Sequence, residues 1–232
     1  MNEYIQSRKS VRKYDMQHLS NITIQKVQAK IKDLMPLYPD LQYSIEITDK
    51  TKGVFNVKAP HYLVFRSLEQ NDEAFANIGF LGQQMDHYFH EVGLGCCWLG
   101  MAKPDLDPDD ALPYVVSMAF GKPEETSTRS AQEFKRKALS EISIGSDVRL
   151  EAARLAPSGR NAQGWFFIAR KGAINCYRKK AGPILSQVMN RMSAIDMGIA
   201  IYHIALESEN FIFRKEEKVP DNKGFIYMGT IE

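Results

Sequence analysis

Residues 156–167 read Ala-Pro-Ser-Gly-Arg-Asn-Ala-Gln-Gly-Trp-Phe-Phe. Upstream, SDVRLEAARLA (146–156) has the pattern of a helix, with Ser146 or Asp147 as its N-cap. Pro157 ends that helix, and Ser158 and Gly159 make a turn. GWFFIAR (164–170) then reads as a strand. Between the two, Asn161 and Gln163 present carboxamides, each carrying both donors and an acceptor. An ordinary helix-to-strand turn explains the same residues, so the rest of the chain must decide what the turn is for.

Working outward, a second strand fits 174–178, a long helix or helix pair fits 183–208, and a last strand fits 224–231. The same order occurs earlier. A helix over 22–35 is ended by Pro36, strands follow at 41–48 and 61–67, and a core helix at 74–92 is closed by Gly93-Leu94-Gly95. Strands at 96–101 and 114–120 complete this half, with Gly121-Lys122-Pro123 as a stop. Residues 3–14 read as a short helix or cap, and the polar stretch 124–140 as a connector. NIGFLGQQMDHYF (77–89) and DMGIAIYHIAL (196–206) could occupy equivalent places. The pattern fits a diverged internal duplication of about 110 residues. Its halves would be 1–125 and 126–232; two α+β halves sharing only a common alternation would look similar.

Composition removes several classes. In 232 residues, 44% apolar and 25% charged, 30 basic side chains are interspersed with 28 acidic ones, so nothing points to nucleic acid. MNEYIQSRKS has no apolar core of a signal peptide, and no run approaches the ~18 apolar residues of a membrane span. Three cysteines, two of them adjacent, make no disulfide framework. A soluble, cytoplasmic α+β protein is expected. Cys96 and Cys97 read as strand residues pointing to opposite faces. His87, His90 and Glu91 have helical spacing but no further ligand nearby, so ordinary helix positions are expected and no metal.

The other chemically dense segment lies near the start. Arg8-Lys9-Ser10-Val11-Arg12 packs two guanidiniums, an ammonium and a hydroxyl into five residues, a set able to cradle a phosphate. A solvated basic N-terminus is the plainer reading of the same residues.

SRKSVRKYD resembles the opening signature of the flavin mononucleotide (FMN)-dependent nitroreductase family: Arg, any residue, Ser, any residue, Arg or Lys. PSGRNAQGW resembles that family's Pro-Ser-x-x-Asn-x-Gln-Pro-Trp turn, with Gly164 standing where the family has its second proline. GLGCCWLG (93–100) is similar to its Gly-Leu-Gly-x-x-Trp-x-Gly segment, and KRKALSEI (135–142) to its closing basic cluster before Leu-x-Glu. That last stretch could equally be a degenerate second copy of the N-terminal signature.

The resemblance implies a nitroreductase-like α+β fold, with mostly antiparallel sheets flanked by helices, and FMN as cofactor. By it, Arg8, Lys9 and Ser10 hold the phosphate with help from Arg136, and Arg12 lies near flavin N1 and O2. Gly93, Gly95 and Cys96 pass close to the rings. Pro157, Ser158, Gly159, Asn161 and Gln163 meet the pyrimidine edge.

Ordinary members share two flavins between two subunits. Here one half carries the basic signature and the other the turn, which implies a single-chain mimic of that dimer with one FMN. Whether that chain is a monomer or pairs again stays open. The implied activity is hydride transfer from NAD(P)H through flavin N5 to a nitroaromatic, quinone or similar flat small molecule, in a ping-pong cycle with no acid–base residue of the protein. The alternatives are a flavin-binding sensory or storage protein without turnover, and a structural relative without cofactor.

Overall fold

The computed structural model describes residues 1–52, 57–105, 112–182 and 186–232. In chain order the elements are α1 (Glu3–Ser7), α2 (Asn21–Lys32), β1 (Tyr43–Thr48), β2 (Thr51–Lys52), β3 (His61–Ser67), α3 (Asp72–Glu91), β4 (Gly95–Leu99), β5 (Lys103–Pro104) and β6 (Tyr114–Gly121). Then follow α4 (Leu139–Ile142), β7 (Ser143–Ile144), α5 (Leu150–Leu155), β8 (Trp165–Arg170), β9 (Ala173–Lys179), α6 (Ser186–Ala205), β10 (Phe213–Arg214) and β11 (Phe225–Ile231). The fold is α+β, with antiparallel sheets flanked by helices, as expected.

The four-stranded sheet runs β1-β3-β6-β4, and the five-stranded sheet runs β10-β11-β9-β8-β7. Set β7 aside and the two match: β8, β9, α6, β10 and β11 follow one another as β1, β3, α3, β4 and β6 do. All pairs within this shared pattern are antiparallel, with Ile45 opposite Phe65 in one sheet and Phe167 opposite Cys176 in the other. β7, which precedes the second pattern in the chain, is added at its edge parallel to β8.

The long helices α3 and α6 lie against each other between the sheets. Glycine makes this approach possible. A Cβ on Gly79 would sit 2.0 Å from the Ile195 carbonyl oxygen, and one on Gly198 would sit 1.9 Å from that of Ala76. Leu81, Met85 and Phe89 of α3 share one apolar core with Ile195, Ile199 and Ile201 of α6. Overpacking such a contact costs about 1–3 kcal/mol, while alanine gains about 1 kcal/mol of helix propensity over glycine. Because the added Cβ would meet rigid backbone, Gly198→Ala should lower stability by about 1–2 kcal/mol. An unchanged midpoint in urea would mean the helices can part freely.

Several sequence expectations shift. Only residues 3–7 of the 3–14 segment are helical, because the Arg8 N–H closes on the Tyr4 carbonyl and the chain then turns extended. That extended stretch bridges Thr128 at Arg8 and Pro123 at Tyr14, and the Val11 N–H donates to the Cys96 carbonyl. The helix expected at 22–35 ends at Lys32; Ser20 caps it, accepting the Thr23 N–H. Asp147 does not cap α5. Its carboxylate takes the Arg149 N–H and guanidinium, and the helix starts at Leu150. Of the helix expected at 183–208, Ser186–Ala205 is helical and residues 183–185 lie outside the described residues. The connector at 124–140 holds the short turn Ala131–Glu133 and much of the functional site.

Candidate functional site

Three segments distant in sequence converge on one cavity of about 420 Å3. The extended N-terminal stretch brings Arg8, Lys9, Ser10 and Arg12; the connector brings Arg129, Glu133, Lys135 and Arg136; the turn after α5 brings Pro157, Ser158, Arg160 and Asn161. Seven of these side chains are cationic and one is a carboxylate.

Arg8 is almost fully buried, held by Asp86 of α3 through Nε to Oδ1 and Nη2 to Oδ2, both 3.1 Å. Burial opposes its charge, yet Asp86 keeps its pKa above the ordinary arginine value. Nη2 also donates to Ser10 Oγ at 3.2 Å. Nη1 is buried and has no hydrogen-bond partner.

Arg136 behaves differently. Among the described residues no carboxylate is ion-paired with it; burial, then the positive charges of Arg129 and Arg8, press its pKa down to about 10. Nη1 donates to Asn161 Oδ1 at 2.6 Å and Nη2 to the Leu155 carbonyl at 3.2 Å, leaving buried Nε unpartnered. Arg129 is lowered for the same reasons, and its guanidinium lies over the Phe134 ring at 4.3 Å.

The turn is strained. Arg160, Asn161 and Gln163 all have left-handed backbones, with φ of 55°, 56° and 48°. Such a conformation costs side-chain-bearing residues about 1–2 kcal/mol each, so other bonds must hold it. Asp196 Oδ1 accepts the Gly159 N–H at 2.9 Å, and Ser158 Oγ accepts the Gln163 N–H at 2.9 Å. Asn161 Nδ2 donates to the Lys135 carbonyl, and Gln163 Oε1 accepts the Lys137 N–H, each at 2.7 Å. Both carboxamides therefore clip residues 135–137 to the turn, and Gln163 is buried while doing so. In the first of the two matching strand patterns Asn77 of α3 accepts the N–H groups of Leu37 and Tyr38, as Asp196 of α6 accepts that of Gly159.

The glycine segment sits behind the cavity wall. Gly93, Gly95 and Cys96 do not line the cavity. A Cβ on Gly95 would meet Val11 at 2.5 Å, so this glycine lets the N-terminal stretch lie across β4. Cys96 and Cys97 are buried in different apolar clusters, and burial raises both thiol pKa values. Among the described residues no group of side chains could hold a metal ion. His87 Nδ1 meets Tyr202 Oη at 2.8 Å, a packing contact between α3 and α6.

A buried chain of hydrogen bonds backs Arg8. Tyr4 Oη donates to Asp86 Oδ1 at 2.8 Å, Gln83 Nε2 meets Tyr4 Oη at 2.5 Å and His203 Nε2 at 3.2 Å, and His203 Nδ1 meets the Ala152 carbonyl at 3.1 Å. Trp98 Nε1 donates to Gln83 Oε1 at 3.2 Å. A neutral His203 with its proton on Nδ1 satisfies every link. Burial, with the charge of Arg8, pushes its pKa down to about 3.

Sequence reading missed Asp86, Gln83, Asp196 and His203. A signal existed: each is a polar residue inside an otherwise apolar helical run. Arg129 and Arg160 were missed, and Lys135 was read only as a member of the basic cluster at 135–137, because only the fold brings the connector and turn together.

Two sheets of matching strand order packed through a pair of long helices, with an arginine-lined cavity between the N-terminal stretch and the turn, define the α+β class of this protein. The family model described as "Putative TM nitroreductase" matches residues 1–208, and the chain belongs to that nitroreductase family. A solved structure from Thermotoga maritima MSB8, described as a "putative nitroreductase", is 20% identical and has the same fold, with a TM-score of 0.64 over 100% of this chain and 92% of that one. An FMN-dependent nitroreductase of Clostridium difficile R20291 is 16% identical, covering 63% of this chain and 100% of its own at a TM-score of 0.49. No curated protein matches. Among the described residues no helix is long and apolar enough to cross a membrane.

The donors suit the phosphate end of FMN. Nη1 of Arg8 and Nε of Arg136 are buried N–H groups lacking an acceptor. Both belong to residues lining a cavity with seven cationic side chains and one carboxylate, a surround that favours an anion.

Proposed function

We propose that this chain is an FMN-dependent NAD(P)H oxidoreductase with one flavin site, placed where the N-terminal stretch of one half meets the turn of the other. Bound FMN would supply hydride acceptance from NAD(P)H and delivery of electrons to a flat small-molecule acceptor. The single observation that supports the reading is the pair of buried guanidinium N–H groups without acceptors on two residues that line one cation-rich cavity. The matching strand orders of the two sheets support an internal duplication, with halves near 1–125 and 126–232.

In this reading Arg8, Ser10 and Arg136 bind the phosphate, with Lys9 beside them. Arg12 is exposed at the same cavity and stabilises negative charge on the cofactor's nearer edge. Pro157, Ser158 and Gly159 form the facing wall and its support. Asn161 orients Arg136, and Gln163 fixes the turn to Lys137. Asp86 holds Arg8 in the direction the phosphate needs.

Reconstitution with excess FMN and desalting should leave about one flavin per chain in the visible spectrum. A colourless protein would sink the reading, and two flavins per chain would sink the single-site version. Arg136→Ala should weaken FMN binding about 10- to 100-fold, the loss of a charge-assisted contact worth roughly 1.5–3 kcal/mol. Unchanged affinity would place the phosphate elsewhere. Steady NAD(P)H oxidation with an acceptor separates turnover from storage.

A further inference from the structure

The cavity carries more positive charge than one FMN phosphate needs. Seven cations face the carboxylates of Glu133 and, behind Arg8, Asp86, leaving an excess of five. A phosphate monoester brings only about two negative charges at neutral pH. Arg8 and Arg136, the inner pair with orphaned N–H groups, account for that phosphate. Lys135 and Arg160 are different: both are exposed and line the cavity, one on the connector and the other on the turn bonded to it. Neither side chain has an ion pair or hydrogen bond among the described contacts. The one lining carboxylate, Glu133, is taken up by the Ser130 N–H and hydroxyl. Arg160 is also held in a left-handed conformation, and the turn that holds it is fastened to the connector by Asn161 and Gln163. Strain of that kind persists where a rigid scaffold fixes it, and here it fixes a guanidinium at the cavity.

We infer that Lys135 and Arg160 form a second phosphate subsite, which reads the 2′-phosphate of the electron donor and makes the enzyme select NADPH over NADH. The inference rests on the flavin reading above, because it assigns the inner cations to FMN. The two donors differ only in that 2′-phosphate monoester, so two cations unclaimed by the inner phosphate are the groups able to tell them apart. A guanidinium grips a phosphate through paired N–H donors, and the lysine adds a point charge from the adjoining connector.

The test uses the full chain loaded with FMN, its flavin content measured first. Adenosine 2′,5′-bisphosphate and adenosine 5′-monophosphate are titrated by calorimetry at low salt. The bisphosphate should bind at least about tenfold more tightly, the effect of one charge-assisted contact. In Lys135→Gln/Arg160→Asn the two should bind within about twofold of each other, because the bisphosphate loses its advantage while the monophosphate is little affected. Asparagine is chosen at 160 because it tolerates a left-handed backbone.

FMN-loaded wild type that binds both nucleotides alike would overturn the inference and leave the flavin reading standing. A preference that survives in the double variant would overturn the assignment to Lys135 and Arg160. Protein that takes up no FMN would overturn the flavin reading and this inference with it.

Discussion

Replacing Asp86 by alanine should destabilise the protein by about 3–5 kcal/mol, the cost of leaving a buried ionised partner unpaired. Arg8 and Asp86 are 1% and 4% exposed, so water cannot take the carboxylate's place. The variant also orphans the Tyr4 hydroxyl, which donates to the same oxygen. A drop in the urea midpoint of that size is expected, and a loss below about 1 kcal/mol would mean that solvent reaches Arg8. The pair divides structure from function. Replacing both partners by apolar groups, as in Arg8→Met/Asp86→Leu, should recover most of the stability, because a well-packed apolar pair often matches a buried ion pair. On the proposed reading it should not recover FMN binding, since the side chain assigned to the phosphate is gone. Recovery of both would show that Arg8 is only a strut.

The second large effect is in the pH dependence of stability. Burial pushes the Asp196 carboxyl up to about 7, against the help of the Gly159 N–H. The folded protein therefore keeps a proton that the unfolded chain has released, and stability falls as pH rises from about 4 to about 7. His203 works in the opposite sense. Its pKa lies near 3 when folded, so the unfolded chain binds the proton first and stability rises with pH between about 3 and 6.5. The two contributions oppose one another across mildly acidic pH, which flattens the wild-type profile.

Asp196→Asn keeps an acceptor for the Gly159 N–H and removes one contribution. It should be about 3 kcal/mol more stable than wild type at pH 8 and nearly equal to it at pH 4. Its stability should then climb with pH between 4 and 6.5 at up to about 1.4 kcal/mol per unit. Parallel profiles for the two proteins would mean that Asp196 is ionised throughout.

Much of this architecture could be read from residue order alone. The helix at 74–92 and the strands at 61–67 and 114–120 were legible because long apolar periodicity, closed by glycine and proline, leaves little choice. The short strands β7 and β10 were not, since two-residue pairings arise from a neighbour's edge and not from their own sequence. Residues 8–14 were read as part of a helix or cap; the extended form wins because Val11 and Tyr14 are buried against the β4–β6 side and the Val11 N–H finds Cys96.

For the site, the cationic and turn motifs were visible, and the fold brings them to one cavity. The uses of Asn161 and Gln163 were not visible. Whether a carboxamide faces a ligand or its own chain depends on residues 135–137, which periodicity cannot place beside the turn. Asp86 and Asp196 were hidden for a related reason: a carboxylate in an apolar helix announces a partner without naming it.

The cavity's walls come from residues near 8, near 135 and near 160 of one continuous chain. Where such walls belong to separate molecules, dilution pulls them apart and ligand affinity falls with protein concentration. Here their encounter is intramolecular, and the effective concentration of one wall for another is fixed by the covalent link and the α3–α6 contact. The dissociation constant measured for a ligand of this cavity should therefore be the same in a very dilute solution as in a concentrated one.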